Sequence, residues 1–286
     1  VFLDTVLKYA PWSVSKVGML ERCSRQFLYQ YVQKKPEGRG STQSRVGIGT
    51  HAILEAALKP DVLDIRAPGV IDKALSELKE RERPTQEELQ TIEGFLPDIE
   101  AFSRKFAAFA QSVGAKAILR EEKLAIKPDF SSTTFFDDKG LIRGVLDLGI
   151  ITDHATAIII DHKTGRKKNI KEHSTQFQVY MLLAMAKYPI DFIQCGVHYL
   201  GHPISWLPAP DGSVRAWSRK EVVELRTWLE MYLNHLETRL IQVSTGECAA
   251  ERGWPCDYCG YSTPEICRDG SEEVQLRLEK KHNTNL

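Results

Sequence analysis

No stretch of this 286-residue chain approaches the roughly 18–20 consecutive apolar residues that a helix needs to cross a bilayer. An excess of one charge is missing too: 38 Lys and Arg balance 38 Asp and Glu. That balance argues against a protein that coats nucleic acid by bulk charge, while leaving room for a local basic groove. The opening VFLDTVLKYAPWS lacks the basic flank and long apolar core of a secretory signal. It begins on Val1 rather than methionine, so a trimmed start is expected. Internal repeats and low-complexity tracts are also missing. These features point to a cytoplasmic protein with no membrane partner, where thiols stay reduced and clustered cysteines favour metal over disulfides. What remains is an ordinary globular balance, 42% hydrophobic and 27% charged, long enough for a real core in one large domain or two small ones.

Hydrophobic periodicity divides the chain. Between Trp12 and Gln33, Val17, Leu20, Phe27, Leu28 and Tyr31 recur at helical spacing. KKPEGRGSTQSR reads as an exposed loop, and a second helix is expected from about Gly49 to Leu58. Residues 61–113 read as helical, with a new start after Pro84, where Thr85 and Glu88 have the spacing of a capping box. From Ala117 the period shortens. AILREEKLAIK, GLIRGVLDLGIIT and TAIIIDHKT predict three strands, the last two joined by the polar turn DHA. HSTQFQVYMLLAMAKY predicts a helix, FIQCGVHYL a strand, and SRKEVVELRTWLEMYLNHLETRL one long amphipathic helix. CAAERGWPCDYCGYSTPEIC has little room for regular structure, and 271–286 is a charged tail, either a short helix or frayed.

The strands pose the chemical question, because Asp147, Asp161 and Lys163 interrupt runs of Val, Ile and Leu. Asp161 and Lys163 are two apart and share a strand face, and Asp147 lies in the neighbouring strand. Two adjacent carboxylates repel unless a proton or a cation sits between them. A hard divalent ion such as Mg²⁺ or Mn²⁺ resolves that conflict with oxygen ligands. Beside it, Lys163 can orient a water and neutralise charge on a phosphate. The plainer alternative is an Asp–Lys pair closing a strand end. In GIGTHAILEAAL, His51 and Glu55 stand one helical turn apart, so His51 is either a third ligand or a packing residue. His173, Gln176 and Tyr180 share one helical face, and Glu121 or Glu122 can add a carboxylate or sit in a surface ion pair.

Three of the six cysteines fall in CDYCGYSTPEIC. Cys256 and Cys259 form a C-x2-C pair with Cys267 downstream, spacing that signals a metal centre. A fourth ligand comes from Cys23, Cys248 or Cys195, of which Cys195 lies in an apolar strand and reads as core. Four thiolates suit zinc and an iron–sulfur cluster alike.

Together these motifs resemble the RecB-type nucleases of the PD-(D/E)xK superfamily, in the iron–sulfur branch that includes CRISPR adaptation exonucleases and the AddB-type nuclease domain. GIGTHAILE is similar to the helix with the metal-binding His51, GVLDLGI to the first metal carboxylate Asp147, and IIIDHKTG to the D-x-K element of Asp161 and Lys163. QFQVY resembles the Q-x3-Y motif, Gln176 and Tyr180, and Cys23 looks like the isolated N-terminal cluster ligand that joins Cys256, Cys259 and Cys267. The gap before Cys267 exceeds the family's usual spacing, which keeps Cys248 as an alternative.

The resemblance implies a restriction-endonuclease-like α/β fold, a central mixed and mainly antiparallel sheet flanked by helices. It implies one nuclease domain over 1–270, with 61–113 as a helical insertion, cluster-binding segments at 23 and 248–267, and a tail over 271–286. The implied activity is a Mg²⁺- or Mn²⁺-dependent exonuclease on single-stranded DNA ends, with a structural [4Fe–4S] cluster. His51, Asp147, Asp161 and the carbonyl of His162 would hold metal, Lys163 would position the attacking water, and Gln176 and Tyr180 would touch DNA or support Lys163. TGRKKNIK would meet phosphates, and a helicase or recombination partner belongs to the same expectation. Two other readings stand beside it: a non-catalytic DNA-end-binding or assembly subunit, and a zinc-stapled endonuclease.

Overall fold

The computed structural model describes residues 1–36, 41–58, 70–248, 256 and 259–284. They fall into two compact units, Thr42–Trp228 and a second formed by Val1–Ser41 with Leu229–Leu286. The helices are α1 (Asp4–Leu7), α2 (Val14–Arg22), α3 (Ser24–Phe27), α4 (Thr42–Ala57), α5 (Val70–Glu82), α6 (Gln86–Gly94) and α7 (Leu96–Ser112). Further on come α8 (Ser174–Lys187), α9 (Arg219–Asn234), α10 (Glu237–Thr245) and α11 (Arg268–Thr284). Among the described residues no helix is long and apolar enough to cross a membrane.

The change of period at Ala117 marks the sheet. Its strands are β1 (Ala115–Ile126), β2 (Ser132–Thr133), β3 (Ile142–Thr152), β4 (Thr156–Lys163), β5 (Phe192–Tyr199), β6 (Ser205–Trp206) and β7 (Trp217–Ser218). The order is β2-β1-β3-β4-β5-β6, with β7 also on β5. All pairs are antiparallel except β4 with β5, whose parallel crossover carries α8. The mixed α/β fold with a central sheet and flanking helices therefore matches the restriction-endonuclease-like expectation.

The Ile158–Ile160 run is continuous because both faces of the central strands are covered. On one face Phe106 and Ala110 of α7 join Leu148, Ile150, Ile158 and Ile160 in a single cluster. Helix α8, buried from Val179 to Met185, lies against β1 and β3. Gly144 permits that approach, since a Cβ there would meet Leu183 and Tyr180 at 3.0 Å. Helices α4 to α7 share a second cluster around Ile53, Leu54, Leu78, Ile92 and Ile99. The capping box at Thr85 and Glu88 is present, and the buried Glu88 also pairs with Arg45. Of the expected helical stretch 61–113, residues 61–69 lie outside the described residues.

In the other unit, the helix expected over Trp12–Gln33 is broken at Cys23, which is extended at φ −163° and ψ 107°. Its last turn, Leu28–Val32, is a π-helix. The long helix expected after Ser218 is likewise two, α9 and α10. The second helix begins earlier than Gly49, at Thr42, and the charged tail is helical to Thr284.

Candidate active site

Strand register assembles the acidic row. β3 and β4 pair Leu148 with Ile160, so Asp147 and Asp161 occupy the next positions. Asp147 Oδ2 accepts the His162 backbone N–H at 2.7 Å. On β1 the pairs Arg120–Leu148 and Glu122–Leu146 bracket Glu121, which therefore stands level with Asp147. Glu121 has φ +45°, a left-handed conformation that a non-glycine residue holds only under local constraint. From α4, His51 Nδ1 lies 3.6 Å from Asp147 Oδ2 and 4.0 Å from Glu121 Oε1. One ligand atom each from His51, Glu121 and Asp147 falls within 4.8 Å of the others, a spacing that can hold a metal ion.

The hydrogen bonds around this group fix its chemistry. His51 Nε2 is 3.0 Å from the His162 carbonyl, which only accepts, so Nε2 carries the proton. The Nδ1 lone pair is then left facing the carboxylates, the tautomer that suits a metal ligand. Asp161 is almost fully buried; its Oδ2 lies 2.7 Å from Lys163 Nζ, and its Oδ1 accepts from Gln176 Nε2 at 2.8 Å. Gln176 also donates to the Tyr180 hydroxyl at 2.7 Å. Tyr180, 7% exposed, is thus a buried prop for Gln176 rather than a surface contact.

Burial and mutual repulsion set the protonation of this group. Desolvation, then the charge of Asp161, pushes the Asp147 carboxyl up to about 8. Desolvation, then Asp147, pushes Glu121 up to about 7. Burial holds His51 below its ordinary value. Burial pulls Lys163 down as well, but Asp161 and Asp147 more than offset it and lift the ammonium above its usual value. Asp147 and Glu121, two acids that resist ionisation beside a charged lysine, are suited to a cation, which would remove the repulsion.

Other expected residues are elsewhere. Glu122 accepts from Tyr188 Oη at 2.8 Å. Glu55 is exposed and reaches Glu121 only through its charge. His173 Nε2 is 2.8 Å from Tyr199 Oη. The His162 ring lies against Phe102, with Nδ1 3.1 Å from His198 Nδ1. Sequence reasoning missed Tyr188, His198 and Tyr199, whose roles depend on docking between elements and leave no local signal.

The family model of the PD-(D/E)XK nuclease superfamily matches residues 11–268. The chain belongs to the PD-(D/E)XK nuclease superfamily. Among solved structures it is similar to "Putative exonuclease" from Eubacterium rectale, with 11% identity, TM-score 0.46, and coverage of 87% of this chain and 86% of that one. It is also similar to SSO0001, with 15% identity, TM-score 0.34, and coverage of 88% and 85%. No curated protein matches.

This superfamily member also gathers thiols in the unit built from both chain ends. Cys23 lies at the break between α2 and α3, and Cys267 immediately precedes α11. After burial, the charge of Cys23 helps raise both the Cys248 and Cys259 thiols, and Cys267 helps raise Cys259, so these four are electrostatic neighbours. Arg25 bonds the Cys267 sulfur, the Cys248 carbonyl at 3.1 Å and Asp269 at 2.6 Å. Tyr29 adds a hydrogen bond of 2.9 Å to the Ile266 carbonyl. Cys256 is buried and Cys195 is fully buried in β5. A soft donor set with a guanidinium beside it fits a thiolate-bound metal group.

Proposed function

We propose that the protein is a metal-dependent exonuclease of the RecB type, hydrolysing phosphodiester bonds at single-stranded DNA ends and stapled by a [4Fe–4S] cluster. The observation that carries this reading is the convergence of His51, Glu121 and Asp147 beside the Asp161–Lys163 pair. The carboxylates of Glu121, Asp147 and Asp161 are hard donors suited to Mg²⁺ or Mn²⁺, with the borderline nitrogen of His51 beside them. A divalent ion there supplies Lewis acidity toward the phosphate and lowers the pKa of a water.

The chain's own residues do the rest. Lys163, held protonated, orients the attacking water and places positive charge where negative charge grows on the phosphorus centre. Gln176, propped by Tyr180, keeps Asp161 aimed. The His162 carbonyl, which the resemblance makes a metal ligand, also orients His51 by accepting from its Nε2. Arg166, Lys167 and Lys168 follow β4 directly and are exposed, a local cationic stretch for phosphates despite zero net charge. The strand-end preference, the exonuclease mode and a helicase or recombination partner carry over from the family resemblance. Cys23, Cys256, Cys259 and Cys267 are the proposed cluster ligands, with Cys248 as alternate, tying the N-terminal helices to the C-terminal segment.

A time course on end-labelled single- and double-stranded DNA, with Mn²⁺ and then EDTA, tests the reading. Lys163→Ala is expected to lose activity by about 10²–10³-fold while binding DNA as before. Full activity in that variant would refute the role of Lys163. Binding without cleavage in the unaltered protein would indicate a DNA-end-binding subunit instead.

A further inference from the structure

The strands that carry the acidic row also carry an exposed aromatic platform that the chemistry above leaves unused. β2 pairs Thr133 with Ala125, which brings the chain leaving β2, at Phe135, alongside Lys123. Phe135 and Phe136 meet edge to face with centroids 5.2 Å apart. Phe136 is 78% exposed, an unusual position for a large apolar ring. Lys123 Nζ lies 6.0 Å from the Phe135 centroid and 5.8 Å from that of Phe136. Arg143 covers Phe135 at 4.8 Å and is anchored by donating to the Phe135 carbonyl at 3.1 Å.

Among the described residues no carboxylate forms an ion pair with Lys123 or Arg143. The neighbouring Asp137 accepts from the Thr133 hydroxyl and from the Lys139 N–H at 2.9 Å. Two cations outside any ion pair, flanking an open ring, form the combination that holds an unpaired nucleotide strand: phosphates on the cations, a base on the ring face. A duplex keeps its bases stacked on one another and offers none to an exposed side chain. Lys123 is two residues from Glu121 along β1, about 7 Å of strand. A strand held here would therefore be registered close to the acidic row.

We propose that Phe136, with Lys123 and Arg143, is a stacking and phosphate-binding platform for single-stranded DNA next to the acidic site. The inference rests on the nuclease reading for the identity of its partner. Its test reads binding without cleavage, so the two can fail separately.

The probe is a fluorescein-labelled oligo-dT of about 16 nucleotides, followed by anisotropy in EDTA. Phe136→Ala is expected to weaken binding roughly 5- to 100-fold, the usual loss for one base–aromatic stack. Phe136→Trp should restore it, and a duplex of equal length should change less than about twofold, since it offers no base to stack. Lys123→Ala with Arg143→Ala should flatten the dependence of log affinity on log salt by about 1.4, two phosphate contacts on a single strand. Equal oligo-dT binding by the unaltered protein and Phe136→Ala would overturn the platform, as would failure of Phe136→Trp to rescue. Such a result, with Mn²⁺-dependent cleavage intact, would leave the nuclease reading standing and turn the patch over to a protein contact.

Discussion

The acidic site and the proposed cysteine centre are built from different kinds of scaffold. Glu121, Asp147 and Asp161 are aligned by register across three adjacent strands, and backbone groups of His162 hold Asp147 and His51 in place. The thiols come instead from a helix break, a helix entrance and irregular chain, with Arg25, Tyr29 and Tyr261 among the ties. The first arrangement is positioned before any ion arrives, and its cost shows as carboxyls pushed up to about 7 and 8. The second is held among the described residues by local turns, such as Cys259 N–H to the Cys256 carbonyl at 3.2 Å and Cys267 N–H to the Thr263 carbonyl at 2.9 Å, rather than by strand register.

That contrast can be broken by experiment, and the largest effect belongs to the cysteines. Cys23→Ser is expected to bleach the visible absorbance of the purified protein and lower Tm by roughly 5 °C or more. Cys195→Ser should leave the absorbance unchanged. A colourless protein containing stoichiometric zinc would replace the cluster with the zinc alternative while keeping the staple.

Gln176→Ala comes next. Loss of the amide that holds Asp161 should lower cleavage by about 10- to 100-fold, as for other groups that orient metal ligands. Gln176→Glu would place a like charge beside Asp161 and should be no better. Wild-type rates in both would remove the positioning role.

The raised carboxyls give a pH signature with a definite sign. Asp147 and Glu121 rise from 3.8 and 4.5 to about 8 and 7, so the folded chain binds protons that the unfolded chain has released. Without divalent cation, this contribution is complete below about pH 4 and is lost as pH rises through roughly 7 to 8. Melting scans should show Tm falling from about pH 4 and levelling off above roughly pH 8, with Mn²⁺ restoring more stability at the higher pH. His51, depressed by burial, opposes this only near its own lower range. Glu121→Gln should flatten the fall, and an unchanged profile would show that Glu121 is not part of the coupled group. The smallest effect is expected for Glu122→Ala: about 1 kcal/mol of stability from the Tyr188 bond, read by denaturant titration, with cleavage unchanged.

Much of this site was readable because charge stands out in an apolar run. Asp147, Asp161 and Lys163 interrupt strands whose period is plain, and the Thr85–Glu88 cap is local chemistry. The choice between Glu121 and Glu122 was not readable, because the side-chain alternation of β1 is disturbed at a positive φ that no glycine announces. The service of Gln176 to Asp161 depends on how α8 lies on the sheet, a tertiary fact. The break at Cys23 has no proline or glycine to mark it, and neither does the one between α9 and α10 at His235 and Leu236.

Calorimetric titration of Mn²⁺ without nucleic acid bears most directly on the acidic row. The unaltered protein should bind saturably, more tightly as pH rises from about 6 to 8, with Asp147→Ala and His51→Ala each weakening binding by at least about tenfold. Equal Mn²⁺ affinity in those two variants, or no binding by the unaltered protein at millimolar ion, would contradict the assignment of His51, Glu121 and Asp147 as a metal site.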